Sequence, residues 1–259
     1  MIPIRLSLGA WSPVLRRIPA GTAGAARPAM ALTFDDGPHP ESTPQVIDAL
    51  AKAGAKATHF LLGERVERHP ELVAALVAAG HAVYAHGWSH DLYAPSQAAE
   101  AAAATARTEA LLARHRPTPK TYLIRLPFNA GYNSAAMHRA MRRFHPDVQF
   151  AWWSHAIADF RIAQTCRGEA AIRQAVGAAI RRFEVRRDLA NGVLLLHDAP
   201  LGQPDDPAPL TTRLLVPEAM RVLKAKGFDL IALPPRSQSA PLSRFVFRSA
   251  QPVTVTAVG

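Results

Sequence analysis

Two adjacent carboxylates, Asp35 and Asp36, close the short apolar run 30–34, and two histidines, His86 and His90, follow the run 81–85. Asp36, His86 and His90 together offer one oxygen and two imidazole nitrogens, a three-ligand set that leaves a zinc position open for water or substrate. Such a set suits a catalytic ion, not a structural one. The histidine pair lacks the Glu that follows the first His in a zinc-protease helix, so its spacing alone decides little. Neighbouring carboxylates resist being free anions together, and the resolution is that one binds the cation while the other accepts a proton. Asp36 is therefore assigned to the metal and Asp35 to the base; the competing reading of Asp35, Asp36, Gly37 and Pro38 is a plain turn. Other apolar runs also end in reactive groups: Arg125 with Pro127 and Phe128, then Asp159, then His197 with Asp198. The chemistry these residue types imply is metal-assisted hydrolysis.

Groups from distant parts of the chain meet only if the intervening elements bring them to one rim. The recurring pattern is a short β-branched or aromatic run, a polar turn and a longer segment of helical period. It predicts strands over 30–34, 57–62, 81–85, 121–126, 148–153, 192–196 and 228–233. Helices are expected over 43–53, 70–79, 96–114, 134–144, 169–187 and 212–225, the first capped by Thr43 with Pro44 behind it. Strand–helix alternation implies an α/β fold with parallel strands and helical crossovers. Seven strands close most economically into a distorted barrel, with reactive side chains at the C-terminal strand ends. The expected organisation is an N-terminal extension over 1–28, a catalytic domain over 29–234 and a tail over 235–259. The tail alternates through 245–247 and 253–258 as a lid, an edge hairpin or a loose end.

Composition bounds the rest. The chain has 259 residues, 49% hydrophobic, with 30 basic and 20 acidic side chains and a net charge of +10. Charged residues are only 19% of it, which speaks against long disordered charge tracts. A single cysteine, Cys166, excludes an internal disulfide and a thiolate-rich zinc site, so a metal must use His and carboxylates. Arg142, Arg143, Arg181, Arg182, Arg186 and Arg187 read as solvated helix faces; the alternative is peripheral contact with phosphate, lipid headgroups or an anionic glycan. No basic surface with groove-reading or aromatic elements supports nucleic-acid binding. Stretch 72–90 is uncharged, but Gly80, His81, His86 and His90 break it as a membrane span. Stretch 6–15 loosely imitates a secretory core; Pro13 interrupts it and Arg16 and Arg17 follow, so an uncleaved cytoplasmic chain is expected.

The string Thr33-Phe34-Asp35-Asp36-Gly37 resembles the first motif of the NodB-type polysaccharide deacetylases, carbohydrate esterase family 4. His86-Gly87-Trp88-Ser89-His90 is similar to the second, whose histidines bind metal. Arg125-Leu126-Pro127-Phe128 resembles the third, in which the Arg orients the base and a backbone N–H after the Pro, here that of Phe128, helps hold the oxyanion. The stretch from Trp153 to Phe160 resembles the fourth and makes Asp159 the partner of the acid. Leu194-Leu195-Leu196-His197 resembles the fifth, with His197 as general acid. The resemblance covers about 30–233 and implies a distorted barrel and a metal-dependent hydrolase, Zn2+ being the expected ion. The substrate it implies is an N-acetylated aminosugar in an oligosaccharide, polysaccharide or lipid-linked glycan. Deformylation, ester deacetylation of a glycan and non-catalytic carbohydrate binding are the alternatives. Three positions depart from the pattern: Asn129 in place of Gly, Ala156 in place of the first Asp of the fourth motif, and Phe160 in place of Trp. Trp88 is a candidate platform for a sugar ring. His155 is read as packed, and His39, His59, His69, His81, His115, His138 and His145 as structural or surface.

Overall fold

The computed structural model describes residues 11–21, 27–198 and 207–237. Along the chain lie β1 (Val14–Leu15), β2 (Ala29–Asp35), α1 (Ser42–Lys52), β3 (Ala57–Leu61), α2 (Gly63–Arg68), α3 (Pro70–Ala78) and β4 (Ala82–Ala85). Then come α4 (Ala98–Leu112), β5 (Tyr122–Ile124), α5 (Ala135–Phe144), β6 (Val148–Ala151), β7 (His155–Ala156) and α6 (Asp159–Thr165). The series ends with α7 (Glu169–Glu184), β8 (Gly192–His197), α8 (Ala208–Ala225) and β9 (Asp229–Ile231). Every expected strand and helix is present with shifted ends, while β1, β7, α2 and α6 are additional.

All strand ladders are parallel, as helical crossovers require. In the larger sheet β2 pairs with β8 on one edge; on the other, its first residues pair with β9 and its last with β3, which continues to β4. β7 lies outside β8, and β1, β6 and β5 form a second sheet. The expected barrel is thus divided into two parallel sheets, with no ladder joining them among the described residues. β4 packs beside β5 at one seam. At the other, Arg17 forms an isolated antiparallel bridge with Gly192, and the Ile18 N–H donates to Asn191 O at 2.9 Å. Part of segment 1–28 therefore belongs to the sheet system through β1 and this bridge. At the C-terminal side, Gln149 holds Arg236 by two backbone-directed hydrogen bonds of 2.8 Å; stretches 245–247 and 253–258 lie outside the described residues.

β2 is buried along its whole length, as a strand covered on both faces should be. Its even residues Met30, Leu32 and Phe34 pack with α1, α7 and α8, each such burial worth roughly 1.5–3 kcal/mol. Its odd residues face the other way, where Ala29 and Ala31 join the core between the two sheets. That parity sends Thr33 and Asp35 toward the interior end of the strands. The Arg pairs of α5 and α7 are solvent-exposed. No described helix is long and apolar enough to cross a membrane.

Candidate metal and catalytic site

Asp36 lies just past β2, buried, with a left-handed φ of 73°. His86 Nε2 and His90 Nε2 are 3.3 and 3.4 Å from its Oδ1. Those separations match the roughly 3.3 Å between two donors that each sit about 2.05 Å from a tetrahedral ion. One atom from each of the three residues falls in a group spanning no more than 4.8 Å. Neither carboxylate oxygen of Asp36 has a hydrogen-bond partner, although both are buried, which would be costly unless a cation served them. His86 is oriented by its other nitrogen: Nδ1 lies 2.8 Å from the carbonyl oxygen of Arg125, which can only accept, so Nδ1 carries a proton and Nε2 is the nitrogen turned toward Asp36. Burial opposes ionisation of Asp36, but contact with His86 and nearby positive charge, that of His197 foremost, bring its pKa down to about 2. Burial pushes the His90 pKa down, favouring the neutral ligand form. The residues present thus fit a divalent cation.

The position of His86 depends on two side chains of α4. Glu109 accepts the Ala85 N–H at 2.9 Å and the Thr108 hydroxyl donates to Gly87 O at 2.8 Å, gripping the chain on both sides of the ligand. Glu109 is itself paired with Arg116. Sequence spacing gives no hint of this clamp, because both groups lie inside an Ala-rich helix.

Arg125 crosses the space between the two sheets and is almost wholly buried. Nη1 donates to Asp35 Oδ1 at 2.8 Å and Thr33 Oγ1 at 2.9 Å. Nε and Nη2 donate to the carbonyls of Ala151 and Trp152 at 3.1 and 3.0 Å. The second oxygen of Asp35 is 4.0 Å from His86 Nε2, placing the carboxylate beside the ligand set. The β2–β8 register makes Asp35 and His197 direct partners. Asp159, at the start of α6, lies 2.9 Å from His197 Nδ1 through Oδ1 and accepts the His197 N–H at 2.6 Å through Oδ2. Burial lowers the His197 pKa, but the charge and hydrogen bond of Asp159, reinforced by Asp36 and Asp35, bring it up to about 9.

The structure thus gathers Asp35, Asp36, His86, His90, Arg125, Asp159 and His197 at one end of the sheets. Phe128 stands at the rim, 62% exposed as a residue, its ring edge-on to His90 at 4.5 Å, and its backbone left-handed at φ 53°. Asn129, where the family pattern has Gly, is also left-handed at φ 56°; Asn is among the few side chains that tolerate this region. Phe160 keeps an aromatic edge 5.4 Å from His197. His155 is buried against Gly192. Trp88, the candidate sugar platform, has the Arg107 guanidinium 3.1 Å from its ring centroid and Gly63 packed against it, so part of the ring is taken up in packing between α2 and α4.

Asp198 has no role in the sequence reading beyond following His197. It is fully buried, and burial pushes its carboxyl up to about 7 against the hydrogen bonds of Thr43 and Ser42. Thr43 differs from the expected helix cap. Glu41 occupies the cap position without a side-chain bond, and the Thr43 hydroxyl donates to Asp198 Oδ2 at 2.8 Å. His59 stacks on Phe34 at 5.1 Å and sits 3.9 Å from Asp198.

Comparison with known proteins agrees with this constellation. The polysaccharide deacetylase family model matches residues 23–144. A chitooligosaccharide deacetylase of Rhizobium leguminosarum bv. trifolii is 30% identical over 230 residues, which is 85% of this chain and 97% of that protein. The structure of peptidoglycan deacetylase PdaC from Bacillus subtilis matches with a TM-score of 0.62 at 25% identity, covering 80% of this chain and 89% of that one. The polysaccharide deacetylase Bc1974 from Bacillus cereus shares the fold, with a TM-score of 0.64 at 24% identity over 80% of this chain and 92% of that chain. A full-length relative, the matching folds and the five ordered motifs leave one assignment: the chain belongs to the polysaccharide deacetylase family, the NodB-type hydrolases of carbohydrate esterase family 4.

Proposed function

We propose that this deacetylase is metal-dependent, uses Zn2+, and removes the N-acetyl group from an aminosugar in an oligosaccharide, polysaccharide or lipid-linked glycan. The observation that carries the reading is the triangle of buried Asp36 and His86 with half-buried His90, standing beside an ionic pair, Asp35 with Arg125, and a second pair, His197 with Asp159. When bound by the triangle, the cation supplies Lewis acidity toward the amide carbonyl and a more acidic water.

The remaining work falls to this chain's own groups. Asp35 takes a proton from the attacking water, and Arg125 fixes the carboxylate through Nη1 while its other nitrogens are tied to backbone carbonyls. The Phe128 N–H serves the developing oxyanion. An amine leaves only when protonated, and His197, held cationic by Asp159, gives that proton. Names of relatives support the substrate class: a chitooligosaccharide deacetylase and a peptidoglycan-N-acetylmuramic acid deacetylase, the latter 38% identical over 102 residues, are among them.

The test is acetate release from N-acetylated chitooligosaccharides, peptidoglycan fragments and lipid-linked aminosugars, with and without chelator. Activity lost to chelator and restored by Zn2+ is expected. Asp35→Asn should keep its metal and lose about 10²–10⁴ in rate. Formate or ester-derived acetate as the sole product would replace the amide reading by a deformylase or an O-acetyl esterase. Absence of turnover from the metal-loaded protein would make it a glycan binder.

A further inference from the structure

We infer that Asp198 and Thr43 are positioning residues that set the shape of the loop presenting Asp36. The inference rests on the reading of Asp36, His86 and His90 as cation ligands. Asp36 is a ligand whose own oxygens accept no hydrogen bond from the protein. No hydrogen bond ties that side chain down, so its place opposite the imidazoles depends on the backbone that carries it, which is in the left-handed region at φ 73°, a conformation Asp tolerates better than most side chains but one that neighbours must still hold.

The support comes from Asp198. Its N–H donates to Asp35 O at 3.0 Å, carrying the β2–β8 pairing one step beyond the partners Asp35 and His197 and ending it at the residue before Asp36. Its carboxylate reaches under the next residue: a Cβ placed on Gly37 would meet Asp198 Oδ2 at 2.6 Å, so the loop backbone rests directly on that oxygen. The same oxygen receives the Thr43 hydroxyl at 2.8 Å. Thr43 in turn accepts the His39 N–H at 2.8 Å through Oγ1, and its own N–H donates to His39 O at 3.0 Å. Ser42 donates its hydroxyl to the Asp198 carbonyl. One buried residue thus braces the loop at Asp35, at Gly37 and, through Thr43, at His39. The first-turn hydroxyls of α1 are spent on Asp198 and not on the helix's own N–H groups, for which Glu41 gives no side-chain cap either.

The test is zinc affinity of the metal-free protein, measured by competition with a chromophoric chelator, alongside thermal melting of the same apo samples. Thr43→Val removes the hydroxyl at nearly constant shape. It should weaken Zn2+ binding about 10- to 100-fold, the range typical of groups that orient metal ligands. Thr43→Ser should return affinity to within about three-fold of the original. Asp198→Ala should weaken binding at least as much as Thr43→Val; if it does not fold, the threonine pair still decides. Unchanged affinity in Thr43→Val, with or without a lowered melting temperature, would overturn the inference, as would failure of Thr43→Ser to restore binding. Failure of the unsubstituted protein to bind zinc would instead overturn the metal reading beneath it.

Discussion

Asp159→Asn tests whether the His197–Asp159 pair has the chemistry assigned to it. The substitution removes the charge and leaves one acceptor oxygen, which can serve the His197 backbone N–H or its ring nitrogen but not both. Buried imidazoles ordinarily lose their proton more easily; here Asp159, with smaller help from Asp36 and Asp35, raises the pKa from 6.5 to about 9. That rise is worth about 3 kcal/mol in favour of the imidazolium. The sign follows from the role. A general acid must be protonated, so the amide-cleaving activity should hold through neutral pH and fall as pH rises through about 9. Without the carboxylate, burial competes only with the more distant acids, and the falling limb should move down toward 6.5 or below. At pH 8 the protonated fraction would then drop from about nine-tenths to about 3%, a loss of about 30-fold in kcat/KM. The assay is kcat/KM against pH for an N-acetyl substrate and, in parallel, for an acetyl ester with a good leaving group. The ester needs no proton on departure and should change less than about three-fold. A falling limb still near 9 in the variant, or equal losses on amide and ester, would refute the reasoning.

Removing either imidazole of the triangle, as His86→Ala or His90→Ala, should leave bound zinc well below one per chain after dialysis, which metal analysis reads directly. Arg125→Ala should cost about 3–5 kcal/mol of stability in urea unfolding, because it strands the buried carboxylate of Asp35 and the carbonyls of Ala151 and Trp152 together; a loss below about 1 kcal/mol would mean that water or another cation replaces the guanidinium.

The parts of the fold that were legible are those with their own local signal. β2, β3, β4 and β8 are short apolar runs whose ends are marked by Gly, Pro or charged residues, and α3 begins at Pro70 and stops beside Gly80, as its sequence predicts. β1 and β7 have only two residues each, too few for any period. They exist because neighbouring strands offer them partners, Phe150 and Ala151 for β1 and Leu194 and Leu195 for β7. The division into two sheets is likewise a matter of long-range pairing that no window of sequence contains. In the site, residues carrying recognisable chemistry at strand ends were legible, whereas the groups that hold them were not. Thr43 looked like a cap because a Thr before a Pro usually is one, and its hydroxyl is instead drawn to a carboxylate 155 positions away. Glu109 and Thr108 carried no signal at all, since a polar residue inside a helical stretch reads as solvent-facing until the neighbouring strand is known.

Why the legible residues converge can be traced to one ladder. β2 and β8 pair without slip from Met30 opposite Gly192 to Asp35 opposite His197. Along β2 the odd positions face the space between the sheets, and along β8 Val193 does the same while Leu194 and Leu196 pack with the helices. His197 has the parity of Val193, so the proposed base and acid emerge side by side on the same face. A slip of one residue would set Phe34 or Leu196 there and turn a carboxylate or an imidazole into the helix layer. The burial that forbids such a slip is the burial of Met30, Leu32 and Phe34 against α1, α7 and α8. The neighbouring carboxylates are then placed by where a strand ends: Asp36 one residue past β2 and Asp198 one residue past β8. The hydrogen bond between Asp198 N–H and Asp35 O makes those two endings a single structural unit, so the hydrophobic register of the sheet and the geometry of the proposed metal ligand are not independent variables in this protein.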